Sequence, residues 1–389
     1  MTKETKLKLY VLSIIRGLQS ASYAISIPFL NIYLYNVKNV PMTVVGSIIG
    51  VASILGSFMR AYAGKLTDLY LPERIMKYGL ILRAAGFLGF SILIWLNASP
   101  LLFFIFFLLN SGGISFFMSA SDTFIAKNIE EEDRPFAYSI IRVGGNLGFA
   151  IGPAIGGFIS RYSYALTFFI SFLIQILCLT LLSLTLRETK SQLRVPSNKN
   201  TKFTSIFLDR NFLTFIAGTF VLSLLMGQLI STLSVFSKSR GLNNTQIGYL
   251  YSINGFMVVF LQLLVVQLIE KIGYKKGLIL GSLLYSMGYF SFSFAQSFTD
   301  FAAGVFILTL GEMLAMPLLT SITAILAPED KRGVYIGFLG FVEGLAWAVA
   351  PLIGGILIDA FLKKPILIWG TVASFGVMSI FIFTKVKFK

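Results

Sequence analysis

The sequence predicts an all-α membrane protein with twelve transmembrane helices, built as two related halves. Hydrophobic residues make up 56% of the chain and charged residues only 13%. The mean hydropathy is +0.81, a balance typical of multi-pass membrane proteins. Apolar windows of about 20 residues, the length of a helix that crosses a bilayer, recur along the whole chain. A glycine–proline segment also occurs twice, once in each half.

The apolar windows also indicate how the chain is divided. The only sizeable hydrophilic connector in mid-chain is 188–210, so we expect a first half at 1–187, this basic linker, and a second half at 211–389. The other loops are short and leave no room for a soluble catalytic domain. The twelve predicted spans are 9–34, 43–64, 75–96, 101–126, 135–160, 164–186, 211–237, 245–269, 275–296, 301–326, 334–358 and 365–384.

The repeat is clearest in the fifth and eleventh predicted spans. The sequence Gly-Pro-Ala-Ile-Gly-Gly at 152–157 returns as Ala-Pro-Leu-Ile-Gly-Gly at 350–355. In the fifth span Gly148, Gly152 and Gly156 recur every four residues and form a smooth stripe that lets another helix backbone approach closely. The proline within this stripe removes one backbone hydrogen bond and permits a bend. We therefore expect a bent, tightly packed membrane helix.

The net charge of +15 reflects membrane topology rather than nucleic-acid binding. When the N-terminus is placed in the cytoplasm, most lysines and arginines fall in loops on that side, which is the positive-inside rule. Both termini are thus predicted to be cytoplasmic, in a protein of the cell membrane. Only Lys38, Arg161, Lys238, Arg240, Lys363 and Lys364 fall on the outer side.

Composition also excludes several kinds of site. The chain has one cysteine, Cys178, and no histidine, so we expect neither a disulfide framework nor a Cys/His metal site. It contains no Gly-x-x-x-x-Gly-Lys sequence, so we expect no ATP hydrolysis and no cofactor. The first apolar run is too long for a signal-peptide core, and we expect an uncleaved first span.

Two motifs carry a family resemblance that covers essentially the whole chain. Gly64-x-Leu66-x-Asp68, after the second span, is similar to the loop 2–3 motif of the major facilitator superfamily. Gly148-x-x-x-Gly152-Pro153-x-x-Gly156-Gly157 resembles the fifth-span signature of its drug:proton antiporters. The chain departs from the pattern in two places. The basic continuation of the first motif is replaced at 69–74, and the fourth-span arginine is absent from 108–113.

The resemblance implies two six-helix bundles related by an axis along the membrane normal. It also implies a substrate site at mid-membrane lined by spans 1, 4, 7 and 10, and alternating access by rocking. The expected partners are a small-molecule substrate, protons as the coupling ion and the lipid bilayer, with no nucleic acid, and we expect a monomer. By the same resemblance, Asp68 contacts the N-terminus of span 11, where the helix dipole favours a negative charge.

Ionisable residues within spans are costly in lipid, so each is a candidate for function. Glu312 lies about halfway through the tenth span. A buried carboxyl there suits a group that binds a proton on one side of the membrane and releases it on the other. The alternative is a structural carboxyl that is hydrogen-bonded to a neighbouring helix.

The first span carries a polar stripe. Arg16, Gln19 and Tyr23 recur at i, i+3 and i+7 and so share one helix face. Such a stripe does not face lipid comfortably. We expect it to line the cavity, where Arg16 can bind an anionic group or pair with Glu312.

Five further charged residues lie nearer the cytoplasmic ends of spans. We expect Asp122 to join Asp68 in an inner-gate network. Glu343 shares a helix face with Trp347, and we expect a gate salt bridge or a binding role for it. Arg142 is expected to act at the gate, or else to pair with an acidic loop residue or reach lipid phosphate. Arg60 and Arg83 are expected to extend their side chains to the lipid headgroups.

The cavity also has uncharged candidates, each of which is alternatively a helix-packing residue. They are Asn110, Gln228, Asn254, Gln262 and Trp347.

The leading functional prediction is a secondary active transporter that exports an amphipathic small molecule or drug in exchange for protons. The alternative within the same fold is a symporter or uniporter that imports a nutrient or organic anion. A membrane-embedded enzyme or channel is a remote third class, because the sequence contains neither a convergent catalytic set nor filter rings.

Overall fold

The computed structural model describes residues 2–186, 203–328 and 331–387, except for the side chains of Ala61, Asp68, Glu131, Pro135 and residues 203–205. Most of the predicted linker lies outside these residues. The described ranges contain thirteen α-helices and no β-strand. The helices are α1 (Lys3–Ile32), α2 (Met42–Leu69), α3 (Pro72–Trp95), α4 (Phe103–Asn128), α5 (Arg134–Ser160), α6 (Tyr164–Thr185), α7 (Arg210–Ile230), α8 (Thr232–Ser239), α9 (Asn244–Ile272), α10 (Tyr274–Ser291), α11 (Phe298–Leu326), α12 (Arg332–Phe361) and α13 (Pro365–Thr384).

The predicted all-α membrane fold is confirmed. Within the described residues, ten helices are long and apolar enough to cross a membrane. The helices α1 and α10, which were predicted to contain spans, are not among the ten. Charged and polar residues explain the difference, since α1 begins with a lysine-rich turn and carries the polar stripe, while α10 has only 18 residues and begins Tyr-Lys-Lys.

The prediction of one continuous seventh span at 211–237 was wrong. The structure ends α7 at Ile230 and begins α8 at Thr232. The Ser231 hydroxyl between them donates to the Gly227 carbonyl at 2.7 Å. Further hydroxyls in α8 also bond backbone carbonyls one turn earlier, as Ser237 does to Leu233 at 2.6 Å. Hydroxyls that bind helix carbonyls compete with regular backbone bonding and bend helices, which explains the break.

The contacts divide the chain into two compact units. Unit 1 contains Met1–Val40, Val51–Ser197 and Asn243–Val259. Unit 2 contains Pro41–Gly50, Asn198–Leu242 and Phe260–Lys389. The first turns of α2 thus belong to unit 2, and the first part of α9 belongs to unit 1. The division into two six-helix bundles at the linker stays a prediction.

The glycine stripe of α5 packs against α1 within unit 1. A Cβ built at Gly152 would lie 2.8 Å from the Ala21 carbonyl oxygen, and one built at Gly148 or Gly156 would overlap the α1 backbone at Gly17 or Ile25. The two backbones therefore touch along more than two turns. The close helix approach predicted for these glycines is confirmed, and its partner is α1.

The repeated glycine–proline segments make equivalent contacts in the two units. In unit 1 the Pro153 carbonyl lies against Gly248, in the first turns of α9. In unit 2 the Pro351 carbonyl lies against Gly46, in the first turns of α2. The sequence repeat is therefore also a repeat of helix docking.

The two docking contacts differ in charge. In unit 2, the Asp359 carboxylate accepts hydrogen bonds from the backbone N–H groups of Met42 at 2.9 Å and Thr43 at 2.8 Å, and from the Thr43 hydroxyl at 2.7 Å. The carboxylate thus caps the N-terminus of α2 across 316 residues of sequence. In unit 1, Asn243 and Gln246 cap the start of α9 locally, each side chain accepting from the other's backbone N–H at 2.9 Å.

Substituting Gly148 by alanine is expected to lower the midpoint of thermal unfolding in detergent, because the new methyl group meets the backbone of Gly17. Overpacking of this kind costs about 1–3 kcal/mol, against a helix-propensity gain of about 1 kcal/mol for replacing glycine. Gly145→Ala is the matched control, since its Cβ would lie 3.6 Å from the Arg16 side chain, an ordinary contact. Equal midpoints for the two variants would contradict the close α1–α5 packing.

Substituting Asp359 by alanine is expected to destabilise the protein by about 1–2 kcal/mol, the usual effect of losing a helix cap. Thermal unfolding of the purified variant measures this loss. Glu270→Gln, at an exposed position near the end of α9, is the control and should unfold as the wild type does. A wild-type midpoint for Asp359→Ala would mean that the cap contributes nothing measurable.

Candidate functional site

The polar stripe of α1 faces the interior of unit 1, and its expected place in the lining of a cavity stays a prediction. Gln19 is fully buried, and Arg16 and Tyr23, one turn to either side, are partly buried. The glycine stripe of α5 brings the two helix backbones together beside this face, and a Cβ built at Gly145 would lie 3.6 Å from the Arg16 Cγ. The stripe is therefore positioned by the same close packing that holds α1 against α5.

Arg16 belongs to a charged group that also contains Arg60 and Asp122. An Arg60 guanidinium nitrogen lies 3.5 Å from an Asp122 carboxylate oxygen, with about half of each side chain exposed. Asp122 also interacts electrostatically with Arg16. Arg60, which was expected to reach the lipid headgroups, thus has an acidic partner within unit 1. The side chain of Asp68, expected in this network, lies outside the described residues.

The largest correction concerns Arg83, which was expected near a cytoplasmic helix end. Arg83 lies at the middle of α3 and is only 2% exposed. Its Nη1 donates to the Gln19 Oε1 at 2.7 Å, and its guanidinium lies 5.6 Å from the ring centroid of Phe87. Glycine makes room for it, because a Cβ at Gly113 of α4 would lie 2.6 Å from the Arg83 Cγ. In the sequence, the signal for this buried arginine was its position inside the third predicted span.

Other polar residues complete the interior of unit 1. Asn110 on α4 is 7% exposed and lies beside Gly86 of α3. On α6, Gln175 donates to the Ser22 hydroxyl at 2.5 Å, and Ser171 donates to the Ser22 carbonyl at 2.9 Å. Helices α3 and α6 thus join α1 in a buried polar network, and Asn110 of α4 lies beside α3. Sequence reasoning missed Ser22, Ser171 and Gln175, although polar residues in an apolar span are a signal for them.

In unit 2, Glu312 is partly buried within α11. It interacts electrostatically with Tyr285 of α10, which is 1% exposed. Gln262 of α9 donates to the carbonyl of Met313 at 3.1 Å. The carboxyl therefore lies where α9, α10 and α11 bring polar groups together. Its role in proton binding stays a prediction.

Gln228 of α7 is fully buried and links two helices of unit 2. Its Nε2 donates to the Ala350 carbonyl at 2.9 Å, and its Oε1 accepts from the Thr232 hydroxyl at 2.5 Å. These bonds lie beside the Pro351 segment of α12. They fit the alternative interpretation of Gln228 as a helix-packing residue.

The remaining candidates are dispersed. Glu343 and Trp347 are both partly buried on α12, Asn254 is buried on the part of α9 that belongs to unit 1, and Arg142 is exposed on α5. A Cβ at Gly64 would lie 3.6 Å from the Ser119 hydroxyl, so packing does not require glycine there. Within the described residues, no three His, Cys, Asp or Glu side chains come together as a metal-binding group would require.

Comparison with known proteins defines the class. The sequence matches the profile of the Major Facilitator Superfamily over residues 12–351. It is 25% identical to the MFS-type transporter YttB of Bacillus subtilis (strain 168), covering 91% of this chain and 88% of that protein. It is 22% identical to the multidrug resistance protein MdtH of Citrobacter koseri (strain ATCC BAA-895 / CDC 4225-83 / SGSC4696), covering 95% of this chain and 92% of that protein.

The solved structure of the nucleoside transporter NupG has the same fold. Its TM-score with this protein is 0.79 at 14% sequence identity, covering 98% of this chain and all of that one. The chain therefore belongs to the Major Facilitator Superfamily. It is a multi-pass membrane transporter and not an enzyme.

Proposed function

We propose that this protein works by alternating access and exports an amphipathic small molecule or drug in exchange for protons. The likeness to MdtH, which is named a multidrug resistance protein, supports the direction and the substrate class. The distribution of lysine and arginine supports a location in the cell membrane with both termini in the cytoplasm. We further propose that the transporter is a monomer.

The observation that carries this proposal is the repeated docking of a glycine–proline helix against the start of another helix. Pro153 with Gly248, and Pro351 with Gly46, bring backbone against backbone. Contacts between smooth backbone surfaces contain few side chains that must be rearranged when they separate. Such surfaces suit helices that dock and release during a transport cycle.

Glu312 is the proposed proton carrier. Keeping a carboxylate ionised within a membrane helix is expensive, so an intramembrane acid is a functional candidate by default. The residue lies partly buried in α11, close to the aromatic side chain of Tyr285. Proton binding at this carboxyl can then be coupled to the movement of α11 relative to its neighbours in unit 2.

Reconstitution into proteoliposomes with an imposed pH gradient tests the role of Glu312. Glu312→Gln is expected to reduce gradient-driven transport by at least about tenfold, because the amide does not carry a proton. Transport that does not depend on the gradient should persist. Glu270→Gln, which changes an exposed acid outside the proposed site, should transport as the wild type does. Gradient-driven transport by Glu312→Gln at the wild-type rate would exclude the residue as carrier.

Import of a nutrient or organic anion is the second candidate. The partly buried Arg16 and the buried Arg83 favour it, because both cations lie inside unit 1 and can bind an anionic substrate.

A ligand screen separates the two candidates. Thermal unfolding is measured with hydrophobic cationic drugs and with anionic metabolites at two pH values, since a ligand stabilises the folded state by mass action in whichever direction it is transported. The proposal predicts stabilisation by drugs that grows stronger as the pH rises, because an exchanger binds its drug in competition with the proton. Stabilisation by anionic metabolites alone would favour import.

A further inference from the structure

Three nitrogen donors inside unit 1 have no hydrogen-bond acceptor among the described residues. They are the Nε2 of Gln19, the Nε of Arg83 and the Nδ2 of Asn110. Their side chains are 0%, 2% and 7% exposed, respectively. Buried polar groups are almost always hydrogen-bonded, so three unpaired donors in one unit need an explanation.

The three donors belong to neighbouring positions on α1, α3 and α4. The bond from Arg83 Nη1 to Gln19 Oε1, at 2.7 Å, places the amide of Gln19 beside the guanidinium. Gly86 lies three residues after Arg83 on the same face of α3, and a Cβ there would lie 2.9 Å from the Asn110 Nδ2. The donors are thus grouped around one turn of α3.

The charge of this group is not balanced within unit 1. Among the described residues, Arg83 forms no salt bridge, and the titratable groups that interact with it are Arg16, Cys178 and Tyr23. Asp122, the acid that interacts with Arg16, pairs with Arg60. The ring of Phe87 offsets only part of the cost of burying a guanidinium. An unpaired buried cation is strongly unfavourable, so an anion is the natural partner.

We propose that Gln19, Arg83 and Asn110 form a binding site for a small anion, with a carboxylate as the group that fits best. A carboxylate accepts from several N–H donors at once and matches the planar guanidinium. Gly86 and Gly113 let α3 and α4 pack closely beside Asn110 and Arg83, so we expect the site to admit only a small charged group. The site extends the proposed transport function but does not depend on its direction. The anion is either free in solution or the charged end of a transported molecule.

The first test measures thermal unfolding of the purified wild-type protein in a buffer whose ionic strength is held constant with bulky HEPES. Formate, acetate and chloride are the probes, and formamide and acetamide are their uncharged counterparts. The expected result is a saturable rise of several degrees with an anion and none with the amides. The absence of any anion-dependent rise would overturn the proposal.

Two substitutions test the residues. Arg83→Gln is expected to abolish the rise, whereas Arg161→Gln, at an exposed position in the same unit, is expected to retain it. Gln19→Glu places a carboxylate within the protein, so it should unfold at a higher temperature without added anion and respond no further. This second variant keeps the test decisive if Arg83→Gln does not fold. A full anion response in Gln19→Glu, or in a folded Arg83→Gln, would overturn the assignment.

A comparison of benzoate with acetate distinguishes the two sources of the anion. If benzoate saturates the rise at concentrations at least tenfold lower than acetate does, and benzamide has no effect, the site binds the charged end of a larger substrate. Equal affinities would assign it to a free anion. Gradient-driven transport is measured separately in proteoliposomes. The transport proposal can therefore fail while the anion site is confirmed, and the anion site can fail while the transport proposal is confirmed.

Discussion

Close backbone packing between α1 and α5 is the constraint on which the rest of unit 1 depends. Gly148, Gly152 and Gly156 bring α5 against the backbone of α1, and this fixes the direction in which the polar stripe of α1 points. In a bilayer the hydrophobic effect does not drive helices together, because lipid is as apolar as the side chains. Contact between smooth helix surfaces and hydrogen bonds between polar side chains supply the attraction instead. Both features occur on α1, the first towards α5 and the second towards α3 and α6.

The same kind of packing recurs where α2 and α9 begin. The carbonyls of Pro153 and Pro351 lie against Gly248 and Gly46, respectively, so both units use the same backbone contact. The duplicated chain has nevertheless diverged at the helix caps. Asp359 carries a charge and caps α2 from another helix, whereas the start of α9 is capped by its own residues. The shared backbone contact is therefore combined with different electrostatics in the two units.

The buried amides of Gln228 and Gln19 differ in how completely they are hydrogen-bonded. Gln228 has both ends of its amide hydrogen-bonded, which is the arrangement expected of a residue that holds helices together. Gln19 and Arg83 bond each other but retain unpaired donors. Because an unsatisfied buried donor costs more than a satisfied one contributes, the first arrangement stabilises the protein by itself, and the second is favourable only with a further partner. This contrast is the reason for proposing a binding role for Gln19 and Arg83 and a helix-packing role for Gln228.

The sequence by itself determined the membrane class, the all-α fold, the repeat and the helix–helix role of the glycines. These features follow from composition, from apolar length and from residue spacing along one helix, all of which are local properties of the chain. Only the tertiary structure decided that Arg83 is buried beside Gln19, that Arg60 pairs with Asp122, that α7 ends at Ile230, and that Asp359 caps α2. The lipid-facing and protein-facing sides of a span can both be apolar, so hydropathy does not reveal which helix covers an arginine. That choice depends on contacts between residues far apart in the chain, which no local pattern encodes.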